Sequence, residues 1–407
     1  MTAKNQFKIA LYFFVAIALL GLILRTVPVY DLGINFSNFL HAHSHVAFLG
    51  WLHGAFISFV SYIFLKDKLQ TPWFRFIYFF TIINIMGMYF SFPIQGYKVF
   101  SIIFLSLFLI ATYLFLYYFF KNKTDVAFYP ATYKFVKAGL FLQFLSSLSP
   151  WSLVFVLKTF GKKSVFYKYD IFYYLHFQYN GWFLFAMFGL TLYLLERKNV
   201  HLEIKQINRI YYSLLIAVFF GYFSNILWSH PGYFYNTLAL IGAGAEIFAF
   251  FILLLIIKRY SRYVKRTISD FSYKVLTIVL FVLMLKIVLQ FMGSFQYYAD
   301  LSYHIRDFII GYLHLIMLGI FTPFLLVLAH EFKFINLSKS AFYIFYSGFI
   351  ITETIVFLRA IFVWFLIPFN ANIINALLFV FTFWMFLGIL GILLFMNKIL
   401  PNLLFND

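Results

Sequence analysis

Four histidines lie close together near the start of the chain, at His41, His43, His45 and His53. The apolar residues around them predict a membrane-spanning helix whose outer half contains the cluster. An unsatisfied polar group in hydrocarbon is costly, so such a cluster is retained only where something ligates or hydrogen-bonds it. Neutral imidazole is well matched to a metal ion or a haem iron. The cluster therefore predicts a cofactor site more directly than it predicts a reaction.

The composition places the elements that carry these histidines in lipid. The chain is 64% hydrophobic and only 11% charged, and about 20 apolar residues suffice to cross a bilayer. Twelve such runs are predicted, at residues 8–26, 42–65, 73–93, 98–120, 136–158, 171–195, 207–229, 233–257, 272–295, 303–329, 340–366 and 371–398. The connections between them are short, and the first run lacks a small-residue cleavage site, so we expect a retained helix. The predicted fold is an all-α polytopic membrane protein with about twelve transmembrane helices in a single domain, 1–407.

The net charge of +18 follows the predicted topology of the chain. Most of the 31 Lys and Arg residues fall in alternate loops and in both terminal segments, which the positive-inside rule assigns to the cytoplasm. We therefore expect a multi-pass protein of the bacterial inner membrane with both termini cytoplasmic, bound to the lipid bilayer and not to nucleic acid. Cysteine is absent, which excludes disulfides, iron–sulfur clusters and thiolate ligation of haem.

The histidines fall at matching depths on two predicted spans. The spacing from His43 to His53 on the second span equals the spacing from His304 to His314 on the tenth. A haem between two helices needs one imidazole from each at the same depth. The spacing permits either His43 or His45 with His304 near the outer face, or His53 with His314 deeper in the membrane.

Three further histidines are candidates for a separate metal ion near the outer face. His41 shares a helical face with His45, whereas His43 points away from both. At most two of these three neighbouring histidines of the second span therefore serve one site. His176 is expected in the first turns of the sixth span, and His230 in the turn between the seventh and eighth. His41, His176 and His230 could hold copper, or they could be interfacial residues bonded to water, lipid phosphate or backbone.

Two helical motifs resemble those of the NnrS family of membrane proteins. The segment from His43 to Trp51 is similar to its H-x-H-x-x-x-x-G-[WF] motif, and His314 to Gly319 is similar to its later H-x-x-x-x-G motif. The resemblance extends in topology to the catalytic subunits of haem-copper oxidases and nitric oxide reductases. It implies twelve helices, b-type haem held by the second and tenth spans, copper, and a role in nitric oxide or respiratory redox metabolism.

The chain departs from the haem-copper oxidases at the positions that hold copper there. It has no adjacent His-His pair, and the His230-Pro231-Gly232-Tyr233 segment lacks the carboxylate of the oxidase motif. These departures argue against an ordinary oxidase. A haem-only site, or haem with copper held by His41, His176 or His230, stays open.

Several charged residues fall inside predicted spans, where they are costly and usually pair or line a path. Glu246, Lys286 and Glu353 are candidates for proton delivery, with Glu246 as carrier. The alternative is structural ion pairing, of Lys286 with Glu246 and of Arg359 with Glu353. Arg306 beside His304 could hold haem propionates through bidentate hydrogen bonds, or it could form a surface pair with Asp307.

The favoured function is a haem-binding membrane protein, with or without copper, that reduces, binds or senses a small diatomic gas such as nitric oxide. An oxidoreductase of this kind would take electrons from a donor protein or a quinol. One alternative is a proton-coupled secondary transporter that uses the same histidines and Glu246, although helices broken in corresponding halves are not evident. A membrane hydrolase or hydroxylase is less favoured, because the tight HxxHH and HExxH groupings are missing.

Overall fold

The computed structural model describes residues 1–198, 200 and 203–397, so His201 lies outside the described residues. This part of the chain is all-helical. Eleven of its helices are long and apolar enough to cross a membrane, which confirms a multi-pass helical membrane protein in contact with lipid.

The helices follow the predicted spans closely. The first six are α1 (Ala3–Thr26), α2 (Phe36–Phe64), α3 (Pro72–Gln95), α4 (Val99–Asn122), α5 (Pro130–Phe160) and α6, which joins Val165–His176, Phe177–Phe183 and Leu184–Glu196. The next are α7 (Ile204–Ser229), α8 (Tyr233–Thr267), α9 (Asp270–Met292), the short α10 (Gln296–His304), α11 (Arg306–Glu331), α12 (Lys339–Trp364) and α13 (Ala371–Phe395).

Helix α6 is the one long helix in the described residues that is not among the eleven. It is buried from His176 to Leu190, and it carries Gln178 and Asn180 in the middle of its length. These polar residues lower its mean hydropathy. A helix that faces protein on all sides need not be apolar enough for lipid, so α6 can be polar where a lipid-facing helix cannot.

The chain forms two compact units. The first comprises Met1–Tyr118, Thr322–Arg359 and Pro368–Asp407, and the second comprises Phe119–Phe321 and Ala360–Ile367. An aromatic cluster fills the core of the first unit. Phe14 stacks on Trp51 with ring centroids 4.6 Å apart, and Phe7 contacts Trp51 and Phe59. The indole nitrogen of Trp51 donates to the Thr322 hydroxyl at 2.9 Å, which satisfies its one polar group in this core.

Small residues bring helices together in the second unit. A Cβ at Gly242 on α8 would overlap the backbone of Gly221 on α7, so the two helices touch backbone to backbone. Glu196 at the end of α6 caps the start of α5. Its carboxylate accepts from the backbone N–H groups of Ala131 and Thr132, both at 2.9 Å, and from the Thr132 hydroxyl at 2.6 Å.

Three long helices contain a seven-residue π-helical segment. The segments are Ala47–His53 in α2, Phe177–Phe183 in α6 and Leu315–Phe321 in α11. A π segment adds residues to a helical turn and frequently marks a functional site. Helices α2, α6 and α11 are the predicted second, sixth and tenth spans, so these departures recur at every fourth span.

Candidate functional site

Each π segment begins one or two residues after a histidine and contains a glycine five residues after that histidine. The pairs are His45 with Gly50, His176 with Gly181 and His314 with Gly319. The family resemblance points to the first and third pairs but not to the second. The H-x-x-x-x-G spacing itself is the signal that would have revealed it.

His43 is held by helix α1. Its Nδ1–H donates to the backbone carbonyl of Ile17 at 2.9 Å, and the ring packs so closely on Gly21 that a Cβ there would lie 3.1 Å from His43 Cε1. Protonation at Nδ1 leaves the lone pair on Nε2. A ring whose Nδ1–H is bound to a backbone carbonyl is the usual arrangement of a histidine that ligates metal through Nε2.

His41 and His45 occupy the opposite face of α2, as the helical spacing predicts. The His45 Nε2 and the Tyr97 hydroxyl are 2.5 Å apart, and the His45 ring stacks on Phe92 at a centroid distance of 4.8 Å. The ring of His41 contacts Tyr97 at 4.6 Å, and its Nε2 lies 3.2 Å from the Ser37 hydroxyl. These two imidazoles therefore share one aromatic pocket that excludes His43.

Charged groups lie near His43 within the first unit. The Arg25 guanidinium, one turn beyond Gly21 on α1, is close enough to act electrostatically on both His43 and Glu353. Glu353 is a buried residue of α12. Arg359 on the same helix donates to the Asn375 side-chain oxygen at 3.3 Å. A histidine, a guanidinium and a carboxylate thus come from three different helices to one region.

His176 is built differently from His43. It was expected in the first turns of its span, but α6 already begins at Val165 and leaves His176 only 1% exposed. Its Nε2–H donates to the Val218 carbonyl at 2.8 Å. Its Nδ1 accepts from the amide nitrogens of Asn180, at 3.2 Å, and Asn225, at 3.0 Å. Both ring nitrogens are thus engaged by protein groups.

The hydrogen-bond network of His176 continues through a set of buried polar residues. The Asn180 amide lies 3.5 Å from the Gln290 oxygen, which also accepts from the Tyr312 hydroxyl at 2.9 Å. Next to this hydrogen-bond network, Lys286 on α9 forms an ion pair with Glu246 on α8, and both side chains are almost fully buried. The structure thus shows the predicted Lys286–Glu246 pair.

Two buried acceptors of this network carry no hydrogen bond from the protein. These atoms are Asn180 Oδ1 and Glu246 Oε2. Glu246 is within electrostatic range of the Tyr179 and Tyr312 hydroxyls. Glu246 therefore binds Lys286 through one carboxylate oxygen and keeps the other as a buried acceptor without a protein donor.

The predicted tenth span is interrupted where His304 was expected to enter it. The short helix α10 ends at His304, Ile305 is extended, and α11 begins at Arg306. His304 is therefore exposed at the end of a separate helix, and the ten-residue spacing to His314 no longer gives two imidazoles on one helix. The prediction of a continuous helix through His304 is wrong, because the extended backbone at Ile305 breaks the register.

The remaining histidines have distinct surroundings. His230 is exposed in left-handed backbone, and its Nε2 lies 3.3 Å from the Asp300 carboxylate. His314 is half-buried immediately before the π segment of α11, and His53 is buried against Phe108 in α4. Among the residues that the structure describes, no group of three or more His, Asp and Glu side chains could hold a metal ion.

The candidate haem ligands divide between the two units. His43, His45 and His53 belong to the first unit, whereas His304, Arg306 and His314 belong to the second. Pairing of an imidazole from α2 with one from the tenth span stays a prediction, as does the contact of Arg306 with haem propionates.

A scan against known protein families finds no match to this chain, and neither does a search of curated proteins.

Proposed function

We propose that this chain is a haem-binding membrane protein that binds, senses or reduces a small diatomic gas. The observation that carries the proposal is the Nδ1–H hydrogen bond from His43 to the Ile17 carbonyl. This bond fixes the tautomer that leaves Nε2 as a ligand, and the close contact with Gly21 sets the orientation of the ring. Of the alternatives His43 and His45, the geometry favours His43, because the Nε2 of His45 is engaged with Tyr97.

The residues present fit a haem better than a haem with copper. In the second unit, His176 would have to give up a hydrogen bond to bind a metal ion. His230 is paired with Asp300. Haem iron, when bound, supplies the centre at which nitric oxide or a similar gas is bound or reduced. The chain's own contribution is to orient His43 and to place the Arg25 charge near it.

The proposal includes the setting of the protein. Twelve spans, with α6 as the one beyond the eleven, would place both termini in the cytoplasm of a bacterium, in accord with the positive-inside distribution of Lys and Arg. The histidines at the start of α2 then lie near the periplasmic surface. Reduction of a gas there would need electrons from a quinol or a donor protein.

Absorbance of the purified protein tests the proposal. Protein from haem-replete cells should show a Soret band and a b-type pyridine haemochrome, and elemental analysis should find iron. The variant His43→Ala should lose the band, whereas the matched variant His45→Ala, on the opposite face of α2, should retain it. A wild-type preparation without a Soret band, or one that holds haem equally well without His43, would contradict the proposal.

A second candidate function is proton-coupled transport. The observation that favours it is the buried Glu246–Lys286 pair, in which Glu246 Oε2 has no protein donor. Reconstituted vesicles with an imposed pH gradient would test it, using the fluorescence of an entrapped pH-sensitive dye as the readout. Proton movement that depends on Glu246 and persists in protein without haem would favour the transporter.

A further inference from the structure

A small, partly open cavity in the first unit has a polar wall that the proposed function does not use. Its volume is about 30 Å³, and helices α1, α2, α3 and α4 all contribute to its lining. Most of the lining is aliphatic or aromatic. The polar exceptions are Gln6, His53, Tyr78, Thr81 and Thr112.

Three polar atoms on this wall have no hydrogen-bond partner in the protein. They are both amide atoms of Gln6, a side chain that is 1% exposed, and the hydroxyl of Thr112, which is 3% exposed. A buried donor or acceptor that stays unsatisfied costs about 1–3 kcal/mol. Thr81 differs, because its hydroxyl donates to the Ile77 carbonyl at 2.8 Å.

The size and chemistry of the cavity restrict what can satisfy these atoms. A water molecule needs roughly 10–15 Å³ of such space and two to four polar partners, so the cavity accommodates about two. The occupant must both donate to the Gln6 oxygen and accept from the Gln6 nitrogen. A diatomic gas of the same size does neither well, and a metal ion would find no carboxylate on the wall.

We propose that this cavity is a hydration site that holds about two water molecules and joins Gln6 and Thr112 to the imidazole of His53. His53 is 5% exposed, and its ring packs against Phe108. Among the lining residues, the other ionisable side chain is Tyr78 on α3. Hydration would place water against the ring of His53, whereas both ring nitrogens of His176 are engaged by protein groups.

Deuterium exchange at the imidazole Cε1–H of each histidine tests this proposal. The exchange needs water at the ring and is followed over days in D₂O by mass spectrometry of peptides. In nanodisc-embedded protein, His53 should exchange at least about tenfold faster than His176, because opening to solvent limits exchange at sites without internal water. Equal, negligible exchange at both histidines would overturn the proposal.

Variants identify the polar wall as the cause. Gln6→Leu combined with Thr112→Val keeps the approximate side-chain volume but removes the partners of the water, and should slow exchange at His53 by roughly fivefold or more. Thr81→Val is the matched control on the same wall and should change the rate by less than about twofold, because its hydroxyl is already committed to a carbonyl. Unchanged slow exchange at the buried His176 shows that the variants remain folded.

A high-resolution density map is an independent test of the hydration site. Two separate peaks within hydrogen-bond distance of Gln6 and Thr112 would support the hydration site. Continuous density of an apolar molecule, or closure of the cavity by side chains, would overturn it. Neither the exchange rates nor the density map depends on haem. Failure of the hydration site can therefore be told apart from failure of the proposed haem-binding function.

Discussion

His43 and His176 both lie on helices that contain a π segment, yet their rings differ in how many nitrogens are hydrogen-bonded to the protein. His43 commits one nitrogen to a backbone carbonyl. His176 commits one nitrogen to a carbonyl and the other to two carboxamides. A ring with one nitrogen anchored is oriented to ligate, whereas a ring with both engaged acts as a cross-link between helices. Hydrogen-bond partners, and not depth alone, thus distinguish the histidine proposed as a ligand from the histidine that joins helices.

The largest expected effect is loss of the cofactor when the anchored ring is removed. His43→Ala should abolish the Soret band, and His176→Ala should leave the band per folded molecule unchanged. Loss of a metal-orienting group alone typically lowers affinity about 10–100-fold, so loss of the ligand itself should exceed that. Haem titration of the two purified variants measures the difference. Equal haem loss in both variants would show that His43 and His176 do not differ in their role.

The buried ion pair beside the His176 network should give the largest effect on stability. Lys286→Met leaves Glu246 as an uncompensated buried charge and should lower the free energy of unfolding by about 3–5 kcal/mol. The double variant Lys286→Met with Glu246→Leu should recover most of that loss, since no charge stays buried. Unfolding by SDS titration in mixed micelles measures both. A single variant as stable as the wild type would show that the pair is solvated.

Replacing the cross-linking ring should cost less than breaking the ion pair. His176→Leu fills the space but removes the imidazole acceptor that Asn180 and Asn225 share and leaves the Val218 carbonyl without its donor, which should lower the free energy of unfolding by about 1–3 kcal/mol. The same change at His43 removes only one bond to a backbone carbonyl and should cost about 0.5–1.5 kcal/mol in protein without haem. The same unfolding assay compares them. A larger loss at His43 would reverse the assignment of roles.

The smallest expected effect concerns the orientation of the anchored ring. Gly21→Ala places a Cβ 3.1 Å from His43 Cε1, so the ring must shift by a few tenths of an ångström. We expect haem affinity to fall about two- to fivefold, which is about 0.4–1 kcal/mol. Gly244→Ala is the control, because a Cβ there meets nothing within 4 Å. An unchanged affinity would mean that the ring is free to adjust.

The sequence was sufficient to predict the helices because each needs only a long apolar run, and that property is local. It also named Lys286 with Glu246 as partners, since two opposite charges inside lipid have few ways to be satisfied. The different surroundings of His43 and His45 follow from helical geometry alone.

The rest depends on backbone detail that composition does not encode. The break at Ile305 separates His304 from the span, and the π segments change which residues share a face, although no proline or glycine pair marks either change in advance. The partners of His176 lie on α6 and α7. Such contacts are set by how helices pack, so the sequence could identify the ring but not its environment.

The carboxylate of Glu196 has a consequence for how the protein is made. It satisfies the first backbone N–H groups of α5, which precede it by about sixty residues in the chain. Until the ribosome has delivered α6, that end of α5 has only water to bond with, and it cannot enter hydrocarbon without loss. The cap of α5 is thus complete only when α6 packs beside it, so we expect the two helices to finish folding together as a hairpin.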